Sequence, residues 1–168
     1  MSPTPRKPNP SKPSSSESKR PKAKAPRPKP PEDGVPTAPP DACPAIRQVM
    51  MPRDTNALGT IFGGVILSMI DLAAAIEAHK HHAGKVVTVS MDQIEFKHPV
   101  NVGDLVSCYT TTERIGRSSI RARVAVWAQR RFGGGTVQFV TEGAVTMVAV
   151  DDKMRPVPIA NSASKHEK

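Results

Sequence analysis

The run from Val65 to Ala78 constrains this chain more than any other stretch. Its length and its Ala, Leu, Ile and Met content favour a helix over a strand. Apolar residues occur on every side of that helix, which predicts burial all round rather than an amphipathic surface element. The run is too short, and too interrupted by Ser68, Asp71 and Glu77, to span a bilayer. Asp71 stands in its middle. A carboxylate in apolar surroundings is costly unless it is paired, hydrogen-bonded or turned to a wet site. Perturbed carboxylates mark structural networks as well as active sites. Residue type alone therefore leaves two readings of Asp71, a bond to a neighbouring amide or a chemical role.

Around this helix the 168 residues divide by composition. Residues 1–44 hold 14 of the 18 prolines, no Phe, Trp or Tyr, and nine Lys/Arg against four Asp/Glu. Such a segment cannot bury enough apolar surface to offset its ordering entropy. It reads as a disordered, extended, basic tail, followed by a folded domain over 45–158 and a flexible C-terminus over 159–168. The tail has no continuous apolar h-region, and its prolines oppose an amphipathic transit helix. Cys43 and Cys108 do not make a disulfide framework. These features predict a soluble, cytoplasmic protein without a membrane span. The tail's charge could meet nucleic acid, anionic lipid or an acidic partner, so its partner is unknown. A solvated extension is the simpler reading, and base stacking is closed to a tail without aromatics.

Ala45 to Met50 reads as a short first strand, and Pro52, Asp54, Asn56 and Gly59 make a loop. The helix starts near Gly63 and frays over His79–His82, with Gly84 as a stop. Those histidines suit a helix C-terminus by charge. No Cys or carboxylate set accompanies them, so no metal site is expected. Glu77 reads as a helix-end carboxylate at an interface or in solvent. Strand signals follow at 86–96, 105–115, 118–130 and 136–150, broken at Gly116-Arg117 and at Phe132-Gly133-Gly134-Gly135. Consecutive strands joined by short loops pair antiparallel. The order strand, helix, four strands predicts an α+β fold, a curved antiparallel sheet wrapped around a central helix. Edge strands and uncovered apolar surface predict a dimer.

This order, with its motifs, resembles the hotdog fold and, within it, the bacterial acyl-CoA thioester hydrolases. The residues that carry the likeness are Met51-Pro52, Asp54-Thr55-Asn56, Gly59, Ile61-Phe62-Gly63-Gly64 and Met69-Ile70-Asp71. They continue with Val86-Val87-Thr88-Val89, Phe96-Lys97-His98-Pro99-Val100, Val102-Gly103-Asp104 and Gly116-Arg117-Ser118-Ser119. Val126-Trp127, Phe139-Val140-Thr141-Glu142-Gly143 and Val148-Ala149-Val150-Asp151 complete it. The likeness spans about 46–158. It implies a hydrolase that cleaves an acyl-CoA to CoA and a carboxylic acid, with no cofactor. It implies Asp71 as the catalytic carboxylate, Asn56 as its companion, and Gly63 or Gly64 as amide donor to the thioester oxygen. It implies a site between two protomers, in dimers or trimers of dimers. Relatives with His at the position of Phe62 could move a proton there; Phe62 cannot, and it is expected to contact substrate instead. Val65 occupies a position where larger side chains also occur, which would alter the acyl pocket.

The residues themselves allow this chemistry. A helix N-terminus has free N–H groups and partial positive charge. Gly63 and Gly64 let a carbonyl approach them, although the pair could instead serve only close packing. Asp71 lies about 10 Å along the axis from Gly64, so the two groups need not meet within one chain. Asp71 could act as general base or attack the carbonyl and form an anhydride. Asn56 could orient water or close an Asx-turn. Ser68, at i−3, shares the face of Asp71 and could hold it or bond back to its own turn. Arg117, Ser118 and Ser119 resemble the family's nucleotide-contacting turn, and an Arg fork suits phosphate; a solvated hairpin is the plain reading. Arg121, Arg123 and Arg155 are weaker candidates.

Three other functions compete. A hotdog dehydratase would need a His beside the carboxylate, and none lies in the loop or the first helical turns. A non-catalytic acyl-CoA binding regulator would dispense with Asp71. A nucleic-acid adaptor would act through the tail, with binding that falls steeply with salt.

Overall fold

A computed structural model describes residues 39, 41–132 and 134–159. Most of the predicted tail, and the chain beyond Ile159, lie outside these residues. The elements are β1 (Ile46–Val49), a 3-10 turn (Pro52–Asp54), α1 (Gly63–His79), β2 (Lys85–Met91), β3 (Leu105–Ile115), β4 (Ser119–Gln129) and β5 (Val137–Val150). The strands form one antiparallel sheet in the order β1-β3-β4-β5-β2. Consecutive pairing therefore holds for β3-β4 and β4-β5, as the short loops require. The first two strands instead take opposite edges, β1 on β3 and β2 on β5. This is the hotdog arrangement, a curled sheet around one helix.

Alternation decides which face of the sheet receives the helix. Along β4, Ile120, Ala122, Val124 and Val126 are buried, with Arg121 and Arg123 on the other face. Val106 and Cys108 of β3 and Val145, Met147 and Ala149 of β5 add to the same inner face. Burial pushes the Cys108 thiol up to about 12, so it packs as a small apolar group. The helix meets this face with a stripe at helical spacing: Ile66, Met69, Ile70, Ala73, Ala74, Glu77 and Ala78.

Three expectations need correction. First, the helix is not buried all round. Leu72 is 59% exposed and Ile76 42%, because a single sheet covers only one side of a helix. Second, β2 ends at Met91 and not at Phe96. Its register slips between Thr88 and Ser90, and beyond it the contact with β5 is intermittent: Asp92 N–H donates to the Ala144 carbonyl, Thr141 Oγ1 to the Glu95 carbonyl and Lys97 N–H to the Val140 carbonyl. Third, Glu77 is neither in solvent nor at a surface; it is buried within the sheet-facing stripe. Ile159 is also buried and donates its N–H to the Arg117 carbonyl, one residue past the predicted end of the domain. No helix among the described residues is long and apolar enough to cross a membrane.

Candidate functional site

The first turn of α1 is prepared by the loop that precedes it. Asn56 closes that loop upon itself. Its Oδ1 accepts from the N–H of Leu58 at 2.8 Å and of Thr60 at 3.3 Å, and its Nδ2 donates to Thr60 Oγ1 at 2.9 Å. Gly59 sits at φ +81, a conformation that favours glycine. The Asx-turn reading of Asn56 is thus correct as far as it goes. An amide nitrogen carries two hydrogens, so one Nδ2–H remains for a ligand. Ile61 then donates its N–H to the Val100 carbonyl and Phe62 donates its N–H to that of Asp54. Together these bonds fix the point at which the helix begins.

Phe62 is the residue before the helix and supplies no side-chain cap. Among the described residues, no acceptor is bonded to the N–H of Gly63 or Gly64, whereas Val65 already donates to the Phe62 carbonyl. Two aromatic rings flank these amides. A Cβ on Gly63 would stand 3.5 Å from the Phe96 ring. A Cβ on Gly64 would strike the Phe62 ring, which is itself 58% exposed. Beside this turn is a cavity of about 320 Å³ lined by Ile61, Gly63, Ile66, Phe96, His98 and Val100, among others. His98 is oriented by its Nδ1, which donates to the Phe139 carbonyl at 2.8 Å.

Asp71 is half-buried on the side of α1 that faces β2. Its Oδ1 accepts from the Thr88 hydroxyl at 2.5 Å, and no other hydrogen bond to its carboxylate occurs among the described residues. Oδ2 is thus available to a substrate or a water. Ser68 does not take part: its hydroxyl donates to the Val65 carbonyl at 2.7 Å. The distance read from the sequence between Gly64 and Asp71 persists, because both belong to one regular helix.

Arg117, Ser118 and Ser119 lie elsewhere. They form the β3-β4 hairpin, closed by Gly116 N–H donating to the Ser119 carbonyl. Ser119 stands opposite Val148, and Val150 stands opposite Lys85, where the chain leaves the C-terminal end of the helix. The first turn of the helix is tied to Val100 and Asn101 at the other end of the sheet. About ten residues of strand separate the two ends, roughly 30 Å. A single chain does not bring the Arg117 turn to the Gly63 amides. Arg121 and Arg123 are engaged on the outer face with Asp92, Glu113 and Glu142, and Arg155 pairs with Asp151. Among the described residues no three His, Cys, Asp or Glu side chains converge as a metal site would need.

Thr88, Phe96 and His98 are the neighbours that residue-level reading did not single out. Their signal was faint: each lies inside a short motif, but strand alternation cannot say which hydroxyl faces which helix residue. The burial of Glu77 is not legible locally either, because nothing near it in the chain announces a partner 33 residues away.

Comparison with known proteins bears on this geometry. A family model described as the thioesterase superfamily matches residues 58–131. The acyl-CoA thioester hydrolase YciA of Salmonella typhimurium is 40% identical over 118 residues, which cover 68% of this chain and 89% of that protein. A hexameric hotdog-fold thioesterase of Campylobacter jejuni is similar in structure, with TM-score 0.68 and 45% identity over 71% of this chain and 91% of that one. An acyl-CoA hydrolase of Staphylococcus aureus, solved in complex with butyryl coenzyme A, coenzyme A and coenzyme A disulfide, gives TM-score 0.62 and 31% identity, covering 69% and 70%.

Proposed function

Because the chain belongs to the hotdog-fold family of acyl-CoA thioester hydrolases, we propose that it cleaves the thioester of fatty acyl-CoA, releasing coenzyme A and a carboxylic acid. The observation that carries this reading to particular residues is the pairing of two prepared groups on one helix. Asp71 has one oxygen held by Thr88 and the other without a hydrogen-bond partner among the described residues, and among those residues no acceptor is bonded to the glycine amides at the helix start.

The reaction needs attack on the carbonyl carbon, shelter for the oxyanion and departure of a thiolate. Gly63 and Gly64 supply N–H donors where the helix carries partial positive charge, which suits an oxyanion. Asp71 takes the proton of the attacking water as general base, or attacks directly as nucleophile. In the first route the water oxygen bonds to carbon, the tetrahedral oxyanion collapses, and the C–S bond breaks. In the second the C–S bond breaks as a mixed anhydride forms on Asp71, and water then cleaves it. One turnover in heavy-oxygen water tests the second route: label in the Asp71 carboxylate requires an anhydride opened at the Asp71 carbonyl, whereas label in the free acid alone fits water attack on the acyl carbon in either route. Asn56, with its spare Nδ2–H, holds the water or the thioester oxygen. Phe62 and Phe96 bracket the approaching acyl group.

The separation of Asp71 from the helix start is met by a second copy of the chain. The surface available for that copy includes Leu72, Ile76 and Val89, all exposed and apolar, and the edge strand β2. The hexameric relative from Campylobacter jejuni supports an assembly of such dimers. A partner also resolves the distant position of the Arg117-Ser118-Ser119 turn, which then serves the coenzyme phosphates of a neighbouring site.

The test is thiol release from acyl-CoAs of increasing chain length by wild type, Asp71→Ala and Asn56→Ala. We expect Asp71→Ala to lower kcat by roughly two to four orders of magnitude with the oligomer intact. Unchanged turnover in Asp71→Ala would overturn the mechanism. Binding of acyl-CoA by folded wild type without release would leave a non-catalytic binding regulator.

A further inference from the structure

Glu77 is a carboxylate in the sheet-facing stripe of α1, 5% exposed, in a position where the spacing calls for an apolar side chain. It also sits near the helix C-terminus, where negative charge is disfavoured by the backbone dipoles. The proposed chemistry has no use for it. Three side chains nonetheless converge on it. Thr110 Oγ1 and Lys80 Nζ donate to Oε2 at 2.7 and 2.5 Å, and Thr112 Oγ1 donates to Oε1 at 2.7 Å. A hydroxyl has one hydrogen, and that of Thr112 goes to Glu77. The His81 Nε2 contact with Thr112 Oγ1, at 2.7 Å, must then run from imidazole N–H to hydroxyl. A relay thus crosses from just beyond the helix, through β3, to the helix itself.

The other helix–sheet contacts give this relay its meaning. Among the described residues, side-chain hydrogen bonds join α1 to the sheet at two places only, Asp71 with Thr88 of β2 and Glu77 with Thr110 and Thr112 of β3. The remainder of the contact is apolar, and its second half is Ala73, Ala74 and Ala78. Apolar contact is non-directional, and small methyl groups do little to fix how far a helix slides along its axis. The Asp71 bond is itself part of the proposed site, so the Glu77 tie is the one that lies outside the chemistry.

We propose that Glu77 is a positioning residue: its bonds to Thr110 and Thr112 anchor α1 on β3, about 9 Å along the axis from Asp71, and so hold Asp71 in register with its substrate. The inference rests on the assignment of Asp71 to catalysis. Displacement of a reacting group by about 1 Å can cost some hundredfold in rate, so a small slide suffices.

The test replaces the whole polar cluster with an apolar one, Glu77→Leu/Thr110→Val/Thr112→Val, with Glu77→Gln as the milder variant. Exchange of a buried polar set for apolar groups of similar shape is often neutral or stabilising, so the triple variant is expected to fold with an unchanged or higher Tm. With short-chain acyl-CoA we expect kcat to fall about tenfold, KM to move less than about twofold, and Glu77→Gln to lie between. Amide exchange in the peptide covering 63–72 is expected to quicken although Tm has not dropped. A folded triple variant with wild-type kcat and wild-type exchange would overturn the proposal, leaving the cluster a matter of stability alone. Inactive wild type combined with quickened exchange in the variant would keep the anchor and sink the thioesterase reading. If the triple variant does not fold, Glu77→Gln decides by the same two readouts.

Discussion

Thr88 gives the sharpest residue-scale prediction. Its hydroxyl is the one protein donor to Asp71 among the described residues, and a hydrogen bond to a charged acceptor is stronger than a neutral one. Thr88→Val keeps the shape and removes the donor; kcat for acyl-CoA is expected to drop roughly tenfold, with recovery in Thr88→Ser. Equal rates in all three proteins would remove Thr88 from the mechanism. Gly64→Ala sets stability against function. Ala is better than Gly inside a helix by about 0.5–1 kcal/mol, and the Phe62 ring that the new methyl would meet is exposed and free to swing away. The variant is expected to melt slightly higher than wild type while losing turnover, because the methyl and the displaced ring crowd the open amides. A calorimetric scan and a thiol-release assay on the same sample check both signs.

At the scale of elements, α1 is joined to the sheet by two polar ties set into an apolar contact, and their pH dependence can be predicted. Burial pushes the Glu77 carboxyl up, but the hydrogen bonds from Lys80, Thr110 and Thr112 outweigh it and hold the group down to about 2, against an ordinary 4.5. A carboxyl depressed in the folded state contributes stability that is complete above the unfolded value and disappears as pH falls through the folded one. That contribution, on the order of 3 kcal/mol, is expected to be present from pH 4.5 upward and to fade as pH falls towards 2. Urea midpoints measured across that window should fall more steeply for wild type than for Glu77→Gln; parallel curves would mean that Glu77 is not held down in the fold.

For the whole molecule, the exposed apolar side of α1 and the open edge at β2 imply that one chain is not the finished unit. Leu72→Glu combined with Ile76→Glu puts charge on that side without touching the core stripe. By light scattering the double variant is expected to dissociate towards monomer, and thiol release should fall with it if the proposed site lies between protomers. An assembly of unchanged mass with full activity would exclude this side of the helix as the contact. Deletion of residues 1–38, by contrast, is expected to leave the number of subunits and the turnover unchanged, with any nucleic-acid binding lost.

What the sequence determined by itself follows from short-range physics. The length and the Ala, Leu, Ile and Met content of Val65–Ala78 specify a helix, the runs 118–130 and 136–150 specify strands, and Gly63-Gly64 marks where the helix starts. Local rules also brought Asp71 forward, since a carboxylate within an apolar run is costly wherever the run folds. Tertiary structure decided everything that depends on pairing at a distance. β1 and β2 go to opposite edges because loop length restricts only neighbours in the chain. Thr88 meets Asp71, and Thr110 and Thr112 meet Glu77, because the helix lies across the inner face at one particular height and rotation. The same placement leaves Leu72 and Ile76 uncovered on a helix that is apolar all round. Periodicity says how many sides of a helix could be buried; only packing against the sheet says which of them are.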